Sequence, residues 1–408
     1  MDKMKLIAKF DPEQALLEGA QKIFGENGGV NSSIHPSTTF TTMDPETMSK
    51  MFKGEVSDAG CYLYGRHFHP NSLNLGIQMA AMENTEIAYP VASGMAAITT
   101  AIKQIVQPGG HLIASSNVYG GTYAFLKNLA PRYGMDVTFV EEMTEENVRE
   151  AMQDNTDMVF FEMHSNPTLR VTDALSVSKV CADFGLEMMV DNTFTPLIYT
   201  PKNLGATITV HSGTKFLNGM SDGISGVICC EHPLLQEMMD LHDGELMLSG
   251  PVMDPRSAWQ LQQYLQTLPL RVREHSFRAL KLSEQLESLG SFRVIYPGLE
   301  SHPDHHLVNL QANSGFGYGG LMAIDLETYE NARKLVMEIQ NSGWGLNAVS
   351  LGYYHSLLSI SGSSTSSEIE PEMQEKTQLS PGLVRISVGF MGSLENQIDA
   401  FEKAVKSI

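Results

Sequence analysis

The sequence places one lysine where a covalent reaction with an aldehyde is possible. Lys215 follows an apolar run at 206–210 and a short segment in which Ser212 and Thr214 carry hydroxyl groups. Hydroxyl groups and backbone amides in such a turn can hold a phosphate, and an amine beside it can form an imine and then move protons. A lysine in a loop is usually only solvated, but the strand, the hydroxyls and the nearby glycines favour a chemical role.

A carboxylate stands at the end of a second apolar run. Residues 186–190 predict a buried strand, and Asp191 follows it directly. A carboxylate at the mouth of a sheet can pair with the protonated ring nitrogen of a cofactor, which then acts as an electron sink. Taken alone, such an acid is more often a helix cap or a turn residue. Its interpretation therefore depends on the residues around it.

Two further segments supply a helix start and an aromatic ring. Gly94 and Met95 open a predicted helix directly after the strand at 87–91, and a glycine there lets backbone N–H groups approach a phosphate. Tyr119 follows the strand at 111–114 and offers a ring for stacking and an acidic hydroxyl. Each signal is weak alone, since glycine is common before helices and Tyr119 could be a core or turn residue.

Together these residues supply an amine, a counter-acid for a ring nitrogen, two phosphate-binding segments and an aromatic platform. Pyridoxal phosphate (PLP) requires that set of groups. A nucleotide fits poorly, because no GxGxxG or GxxxxGK[ST] segment follows a predicted strand. The residues therefore predict a PLP enzyme in which Lys215 is the imine-forming lysine.

Between residues 70 and 250 the elements that must position these groups alternate between helix and strand. Apolar runs predict strands at 87–91, 111–114, 137–140, 158–162, 187–190 and 206–210. Helical periodicity predicts helices at 73–82, 95–106, 123–133 and 171–184. This alternation predicts a mainly parallel sheet covered on both faces, and ligands collect at the carboxyl ends of such strands.

The flanking segments have a different composition. Residues 1–65 combine one predicted helix with a Gly-, Ser- and Thr-rich stretch, so we expect an arm that packs on another subunit or domain. A long helical region predicted at 255–289, with few helix breakers, leads to a smaller α+β domain, with strands near 292–296, 319–324 and 382–388. We therefore expect an arm at 1–65 that contributes to the neighbouring subunit, a cofactor domain at 66–255 and a C-terminal domain at 256–408.

Composition limits the class of protein. The chain has 408 residues, is 42% hydrophobic and has a formal net charge of −20, which argues for a folded protein and against nucleic-acid or anionic-membrane partners. No uncharged apolar run approaches the roughly 18 residues of a membrane span, and the first residues do not resemble a signal peptide. Four scattered cysteines favour reduced thiols in the cytoplasm. We expect no metal site at His302, His305 and His306.

Several short motifs follow one another along nearly the whole chain: Tyr64-Gly-Arg66, Ser93-Gly-Met95, Tyr119-Gly-Gly-Thr122, Ser165-Asn-Pro-Thr168, Asp191-Asn-Thr193, Ser212-Gly-Thr-Lys215 and Leu383-Val-Arg385-Ile-Ser-Val-Gly389. Their order resembles the Cys/Met-metabolism family of PLP enzymes, which includes cystathionine γ-synthase, cystathionine γ-lyase and methionine γ-lyase. The resemblance implies an α/β, aspartate aminotransferase-like fold of type I, with a mainly parallel seven-stranded sheet and a smaller α+β C-terminal domain.

The resemblance also implies roles for individual residues. One subunit would hold the cofactor phosphate with Gly94, Met95, Ser212 and Thr214, and the neighbouring subunit would add Tyr64 and Arg66. Asp191 would meet the ring nitrogen, and Tyr119 would stack on the ring. An amino-acid substrate would bind through its carboxylate to Arg385, with Ser350 and Asn166 nearby, since the guanidinium fork suits a carboxylate. Members of the family are typically homotetramers built from two catalytic dimers.

Within the family, the shared stretches resemble the plant-type methionine γ-lyases: Gly28-Gly-Val-Asn31, Val349-Ser-Leu-Gly-Tyr-Tyr354, the Ser-rich tract at 361–367 and Ser387-Val-Gly-Phe390. Gly121 stands where many bacterial members carry a cysteine. The subgroup implies a carbon–sulfur lyase of sulfur amino-acid metabolism and transsulfuration, which converts L-methionine to methanethiol, 2-oxobutanoate and ammonia. Lys215 would move the α proton, and Tyr119 would protonate the departing sulfur.

The sequence leaves other reactions of the same family open. A γ-replacement enzyme, such as cystathionine γ-synthase or an O-acylhomoserine sulfhydrylase, would use nearly the same residues. A cystathionine or homocysteine γ-lyase would also do so. A regulator that binds the cofactor without catalysis is disfavoured, because both Lys215 and Arg385 are present.

Overall fold

The structure is a computed structural model that describes residues 10–20, 23–52, 62–361 and 380–408. Its helices are α1 Pro12–Ala20, α2 Pro45–Phe52, α3 Pro70–Glu83, α4 Gly94–Ile105, α5 Gly120–Ala124, α6 Glu145–Glu150, α7 Ala174–Phe184, α8 Pro201–Leu204, α9 His232–Met238, α10 Glu245–Ser249, α11 Pro255–Leu265, α12 Leu268–Glu287, α13 His305–Gln311, α14 Tyr329–Asn341 and α15 Leu394–Lys406. None of the helices within these described ranges is long and apolar enough to cross a bilayer. Beyond Ser361, the predicted Ser-rich loop lies outside the described residues.

The strands fall into two sheets. They are β1 Ile87–Val91, β2 His111–Ser115, β3 Asp136–Val140, β4 Thr156–Glu162, β5 Glu187–Asp191, β6 Ile208–Ser212, β7 Gly226–Cys230, β8 Arg293–Ile295, β9 Leu321–Asp325, β10 Gly345–Asn347, β11 Ser356–Ile360 and β12 Leu383–Ser387. The larger sheet has the order β1-β7-β6-β5-β4-β2-β3 and the smaller the order β10-β11-β12-β9-β8.

The larger sheet is mainly parallel, as predicted. Only β7 runs antiparallel to its neighbours β1 and β6, and the other pairs are parallel. Its strands are short apolar runs, and every residue of β2 and β7 is buried. Complete burial is expected where helices cover both faces of a sheet. The predicted seven-stranded α/β architecture is confirmed.

Helices bury the two faces of this sheet in separate apolar clusters. One cluster contains Leu75 and Met79 of α3, and the other contains Ile98 and Ile102 of α4. The hydroxyl of Ser93 caps α4, because its Oγ accepts a hydrogen bond from the N–H of Ala96 at 3.1 Å. This cap ends β1 and fixes the start of α4 at one edge of the sheet.

The smaller sheet confirms the predicted α+β character of the C-terminal part. Its pairs are antiparallel except for β10–β11, and α12, α14 and α15 contribute Leu282, Leu335 and Phe401 to one apolar cluster with it. Every residue of β12 is buried, including Arg385. A buried arginine within an apolar strand needs polar partners, and these come from both halves of the chain.

Two predicted helices differ from the structure. The long helical region predicted at 255–289 consists of two helices: α11 ends at Leu265 and α12 begins at Leu268, because Pro269 lacks the N–H that would continue the helix. The helix expected at 123–133 is divided into α5, a π-helix at Phe125–Leu129 and a 3-10 helix at Ala130–Tyr133. Pro131 in the 3-10 helix also lacks the backbone N–H that an α-helix would need at this position.

The described part of the predicted arm packs on its own chain. Leu16 of α1 lies in the apolar cluster that contains α3. The hydroxyl of Ser32 donates to Oε1 of Gln262 at 2.9 Å, and Nε1 of Trp259 donates to the carbonyl of Ser32 at 2.7 Å. Other large side chains of the arm remain exposed, among them Phe24, Val30 and Met43.

Candidate active site

A cavity of about 390 Å³ lies at the carboxyl ends of β4, β5 and β6, the edge at which parallel sheets bind ligands. It is lined by most residues that the sequence predicted for a site: Gly94, Met95, Tyr119, Asn166, Asp191, Ser212, Thr214, Lys215, Ser350 and Arg385. Tyr64 and Arg66 do not line it. The two sheets therefore bring the predicted amine, acid, hydroxyls and guanidinium together in one place.

The amine of Lys215 projects into this cavity and contacts a residue from the C-terminal part of the chain. Its Nζ donates a hydrogen bond to Oγ of Ser350 at 2.9 Å. Burial and, to a smaller extent, the nearby charge of Arg385 together lower the pKa of Lys215 to about 8. A pKa near 8 leaves an appreciable fraction of neutral, nucleophilic amine at neutral pH.

The start of α4 meets the end of β6 at one end of the cavity. A Cβ on Gly94 would lie 2.6 Å from Cβ of Ser212 and 2.9 Å from its Cα, so only glycine permits this contact. The approach places the N–H groups that begin a helix of 12 residues beside the Ser212 hydroxyl. Helix N–H groups and a hydroxyl are suitable donors for a phosphate.

Thr214 also lines this end, but its hydroxyl has partners within the protein. Its Oγ1 accepts a hydrogen bond from the N–H of Ser225 at 3.1 Å and donates to the carbonyl of Ser225 at 3.3 Å. These bonds fix the turn between β6 and β7. Thr214 therefore stabilises the turn that carries Lys215. Because its hydroxyl is already hydrogen-bonded to Ser225, it is less suited than Ser212 to donate to a phosphate.

Asp191 ends β5 and is almost fully buried. Its Oδ1 accepts a hydrogen bond from the N–H of Thr193 at 2.9 Å, and Oγ1 of Thr193 accepts one from the N–H of Ser212 at 2.7 Å. Burial raises the pKa of Asp191, although the hydrogen bonds from Thr193 oppose the shift. A buried carboxyl group of this kind gains most from a cationic partner, such as a protonated ring nitrogen.

Glu162, at the end of β4, was missed in the sequence. It lines the same cavity, and its Oε1 accepts a hydrogen bond from the N–H of Tyr119 at 2.7 Å. Its Oε2 is buried and has no hydrogen-bond partner among the described residues. Burial and the neighbouring Asp191 raise the pKa of Glu162 well above its usual value. The same strand-end argument that selected Asp191 would have selected Glu162.

Tyr119 lies at the mouth of the cavity and is 44% exposed. Its ring passes over Gly121, where an added Cβ would lie 2.6 Å from Cε1 of the ring. The ring position therefore depends on the absence of a side chain at residue 121. Two contacts hold Tyr119 at this opening: its ring lies over Gly121, and its N–H donates to Glu162.

Arg385 is buried and has partners from both halves of the chain. Its Nη1 donates to Oδ1 of Asn166 at 3.1 Å, and its Nη2 donates to the carbonyl of Ser350 at 3.2 Å. Burial lowers the pKa of Arg385 to about 10, although Tyr119 and Glu162 oppose the shift, so the group stays cationic at neutral pH. Ser350 has a φ of 89°, a conformation that is strained for a residue other than glycine.

Arg66 and Tyr64 lie outside the cavity of their own chain. Nη1 of Arg66 donates to the carbonyl of Met247, and its guanidinium lies 5.9 Å from the centre of the Tyr64 ring. Tyr64 is 46% exposed. The expectation that both residues serve the cavity of a neighbouring subunit stays a prediction.

Two of the three histidines considered for a metal site, His302 and His305, have protein partners. Nδ1 of His302 accepts a hydrogen bond from the N–H of Asp304 at 3.1 Å, and Nδ1 of His305 lies 2.9 Å from the carbonyl of Pro297. In the portions of the chain that are described, no three His, Cys, Asp or Glu side chains are grouped to hold a metal ion.

The cavity fits pyridoxal phosphate on the chemistry of its groups. At one end are the α4 start and the Ser212 hydroxyl, which suit a phosphate, and a buried carboxyl at Asp191 suits a ring nitrogen. The amine of Lys215 lies in the same cavity, with the half-exposed Tyr119 ring at its mouth. The close approach at Gly94, which any side chain would block, keeps the start of α4 beside Ser212.

The chain is similar to known proteins over almost its full length. Residues 14–406 match the family model described as Cys/Met metabolism PLP-dependent enzyme. A methionine gamma-lyase of Arabidopsis thaliana is 48% identical over 385 residues, which cover 93% of this chain and 87% of that protein. An L-methionine gamma-lyase of Treponema denticola is 32% identical, covering 95% of this chain and 96% of that protein.

A solved structure has the same fold. A Campylobacter jejuni protein described as an O-acetylhomoserine (thiol)-lyase superposes with a TM-score of 0.89 at 25% identity, covering 97% of this chain and 100% of that one. That structure contains a pyridoxyl-lysine monophosphate, and its similarity agrees with the predicted fold of type I. With the matching cavity and the family model over residues 14–406, this chain belongs to the Cys/Met-metabolism family of PLP-dependent enzymes.

Proposed function

We propose that this enzyme catalyses the α,γ-elimination of L-methionine, which releases methanethiol, 2-oxobutanoate and ammonia. The observation that carries the proposal is the cavity in which the Lys215 amine, the buried Arg385 guanidinium and the Tyr119 ring lie together. The 48% identity to a methionine gamma-lyase gives it further support. The roles below are assigned to the residues on that basis.

Cofactor binding is assigned to two groups of residues. Gly94, Met95, Ser212 and Thr214 contribute the backbone and hydroxyl donors around the phosphate. Asp191 keeps the ring nitrogen protonated, because its buried carboxyl is stabilised as an anion by a facing cation. Tyr119 stacks on the ring from the mouth of the cavity.

Lys215 is the base. When bound, pyridoxal phosphate supplies a ring that stabilises negative charge at the substrate Cα. Nζ of Lys215 takes the proton from Cα and then moves a proton at Cβ, which prepares the bond to the γ substituent for cleavage. The pKa of about 8, which burial produces, allows this amine to take and return a proton near neutral pH.

Arg385 binds the carboxylate of the amino acid. The contacts with Asn166 and Ser350 orient its guanidinium, which has five N–H donors in total and can bind a carboxylate with two of them. Since the group is buried, competition from water is small, and the charge interaction is stronger than at the surface. This residue therefore fixes the orientation of Cα relative to Lys215.

Tyr119 is the acid for the departing sulfur. A methanethiolate is a mediocre leaving group, and a proton donated from the Tyr119 Oη assists its departure. General acid catalysis of this kind contributes on the order of 10²–10⁴-fold. The cavity wall suits a thioether, because it also contains several apolar side chains: Ile98, Phe194, Ile224, Val349 and Leu351.

A γ-replacement reaction on an O-acylated homoserine is the second candidate. It is favoured by the superposition with a protein described as an O-acetylhomoserine (thiol)-lyase. The test is a product assay on purified enzyme with methionine, homocysteine, cystathionine, and O-acetylhomoserine with sulfide. Fast release of 2-oxobutanoate from methionine supports elimination. Formation of homocysteine and acetate from O-acetylhomoserine and sulfide, with no turnover of methionine, would replace our proposal by the second candidate.

The arm at 1–65, the cofactor domain at 66–255 and the C-terminal domain at 256–408 are proposed to assemble into a homotetramer of two catalytic dimers. The end of the arm then supplies Tyr64, and the start of the cofactor domain supplies Arg66, to the cavity of the neighbouring subunit. Support comes from their position away from their own cavity and from exposed apolar side chains such as Val30 at 92% and Met43 at 98%. Light scattering of the purified protein tests the tetramer.

We further propose a cytoplasmic location. Within the described residues, Cys229 and Cys230 are buried and form no disulfide, as is usual for proteins of reducing compartments. Fractionation of cells that express the natural protein tests this assignment.

A further inference from the structure

One ion pair ties a loop of the cofactor-binding part to the C-terminal part of the chain. The loop at 164–171 is closed by a bridge between His164 and Val171. Within it, Arg170 donates from Nε to Oδ2 of Asp304 at 2.6 Å and from Nη2 to Oδ1 at 3.2 Å. The N–H of Val171 donates to the same Oδ2 at 3.0 Å. Asp304 thus holds the C-terminal end of the loop with three hydrogen bonds.

The same loop carries Asn166, the partner of Arg385. Hydrogen bonds inside the loop connect the two positions: the N–H of Ser165 donates to the carbonyl of Arg170 at 2.9 Å, and the N–H of Arg170 donates to Oγ of Ser165 at 3.0 Å. Ser165 precedes Asn166 directly. A displacement at Arg170 is therefore transmitted to the residue that contacts the guanidinium of Arg385.

The loop backbone needs such support because it is strained. Leu169 has a φ of 54°, which is unfavourable for a residue with a Cβ and persists only where surrounding contacts enforce it. Its side chain is fully buried in a small cluster with Phe216, Leu351 and Leu383. Apolar packing therefore holds the Leu169 side chain, and the hydrogen bonds to Asp304 hold the next residue, Arg170.

The two acidic partners of Arg170 differ in burial. The Asp304 side chain is 8% exposed, whereas Glu142, at 3.3 Å from Nη1, is 61% exposed. Burial acts to raise the pKa of Asp304, but the bonds from Arg170 and Val171 outweigh it and hold the pKa below its usual value. The Arg170–Asp304 pair is therefore the structural contact, and Glu142 is a solvated neighbour of low energetic weight.

We propose that Arg170 and Asp304 are positioning residues that fix the loop at 164–171, so that Asn166 holds the Arg385 guanidinium in the orientation that binds the substrate carboxylate. This inference rests on the proposed function of Arg385. Neither residue lines the 390 Å³ cavity, so both act through Asn166. Their loss should weaken binding of a carboxylate and leave the proton transfers at Lys215 nearly unchanged.

The test compares Arg170→Gln and Asp304→Asn with Glu142→Gln, which removes a charge beside Arg170 but keeps the buried pair. For the first two variants we expect KM for methionine to rise by about 10- to 100-fold, with kcat within about threefold of the wild type. Glu142→Gln should leave both constants unchanged. Visible absorption of the bound cofactor and the midpoint of thermal unfolding are recorded for every variant, and Arg170→Lys replaces Arg170→Gln where the latter does not fold.

A second readout separates positioning from general loosening. 3-(Methylthio)propylamine, which is methionine without its carboxylate, is used as an inhibitor. Its inhibition constant should be unchanged in Arg170→Gln and Asp304→Asn, since the amine makes no use of Arg385. Equal weakening of methionine and of this amine would overturn the inference, and so would an unchanged KM for methionine.

Arg385→Lys distinguishes failure of this inference from failure of the proposed function. If Arg385→Lys raises KM strongly and the Arg170 and Asp304 variants do not, the positioning role is wrong and the carboxylate site stands. If Arg385→Lys also leaves KM unchanged, the proposed carboxylate site is wrong, and the positioning role is wrong with it.

Discussion

Glu162 and Asp191 are the last residues of two adjacent parallel strands and are paired at the same register. Both carboxyl groups line the cavity, and burial raises the pKa of each. Two neighbouring buried carboxyl groups do not both ionise readily. Asp191 has hydrogen bonds from Thr193 that stabilise its anion, whereas Oε2 of Glu162 has no partner in the described part of the chain. Glu162 therefore retains its proton, and Asp191 carries the charge.

The first prediction concerns this neutral acid. Glu162→Gln keeps an oxygen that accepts the hydrogen bond from the Tyr119 N–H, so we expect methionine turnover within about fivefold of the wild type. Glu162→Ala leaves that N–H buried without an acceptor, at a cost of about 1–3 kcal/mol, and should slow turnover and lower the unfolding midpoint. Steady-state kinetics and thermal unfolding measure both effects. Equal damage by the two substitutions would mean that the negative charge of Glu162 is needed.

A second prediction concerns the glycine beneath the Tyr119 ring. Gly121→Ala puts a Cβ 2.6 Å from Cε1 of that ring, so the ring must move and methionine cleavage should slow by roughly 10- to 100-fold. In a Tyr119→Phe background the same change should cost much less, because the acid is already absent. Gly29→Ala, whose Cβ would have nearest neighbours at 3.5 Å, is the matched control. Additive effects of Gly121→Ala and Tyr119→Phe would contradict this account.

The sequence located the site residues that obey a simple positional rule. Asp191, Ser212 and Lys215 follow apolar runs, and residues at the carboxyl ends of parallel strands must meet at one edge. Glu162 obeys the same rule, because it is the last residue of the run at 158–162 that predicts a strand. The break between α11 and α12 also had a signal, in Pro269.

Other features depend on contacts that no local pattern encodes. Asn166 and Arg385 are 219 positions apart, and Arg170 and Asp304 are 134 apart. Only the family resemblance pointed to the first pair, and nothing pointed to the second. The positive φ of Leu169 and Ser350 was equally inaccessible, because neither residue type favours that conformation.

The third prediction tests whether cavities are shared between subunits. Lys215→Ala should lose the visible absorption of the lysine-bound cofactor and its turnover, and Arg66→Ala should weaken cofactor binding. Mixed dimers of the two variants contain one intact cavity. Random exchange makes about half of the dimers mixed, so roughly a quarter of the wild-type activity should return. Activity after subunit exchange is the measurement.

The control for this exchange pairs Lys215→Ala with Asp191→Ala. Both residues line the cavity of the same chain, so no mixed dimer has an intact site and no activity should return. Failure of the Arg66→Ala and Lys215→Ala mixture to exceed this control would remove the case for an arm that serves the neighbouring subunit.

A fourth prediction follows from a buried histidine. Burial lowers the pKa of His275 to about 4, and its ring Nδ1 lies 2.6 Å from the carbonyl of Val388. In the unfolded chain, the His275 imidazole takes up a proton below a pH of about 6.5, whereas in the folded protein it does so only near pH 4. The stability that neutral His275 contributes is therefore fully present above about pH 6.5 and is lost as the pH falls towards 4. At about pH 5 the loss is roughly 2 kcal/mol.

Replacement of His275 tests that dependence. In His275→Asn the side-chain amide can still donate to the Val388 carbonyl, but no proton is taken up. We expect the unfolding midpoint of this variant to fall less steeply than that of the wild type between about pH 6.5 and 5. His242→Asn, at an exposed position, should keep the wild-type slope. Parallel curves for His275→Asn and the wild type would show that this histidine does not govern acid stability.

The last prediction separates elimination from replacement through Tyr119. In cleavage of a thioether the sulfur departs poorly without a proton, whereas an acylated homoserine loses a carboxylate, which needs little help. Tyr119→Phe keeps the stacking ring and removes the acid, so it should slow methionine cleavage far more than the processing of O-acetylhomoserine. If the 10²–10⁴-fold range for one acid applies, the loss corresponds to about 3–5 kcal/mol of transition-state stabilisation. Release of 2-oxobutanoate from both substrates is measured for the wild type and the variant. Equal slowing with both substrates would mean that the Tyr119 hydroxyl only positions the cofactor, because a positioning defect does not depend on the leaving group.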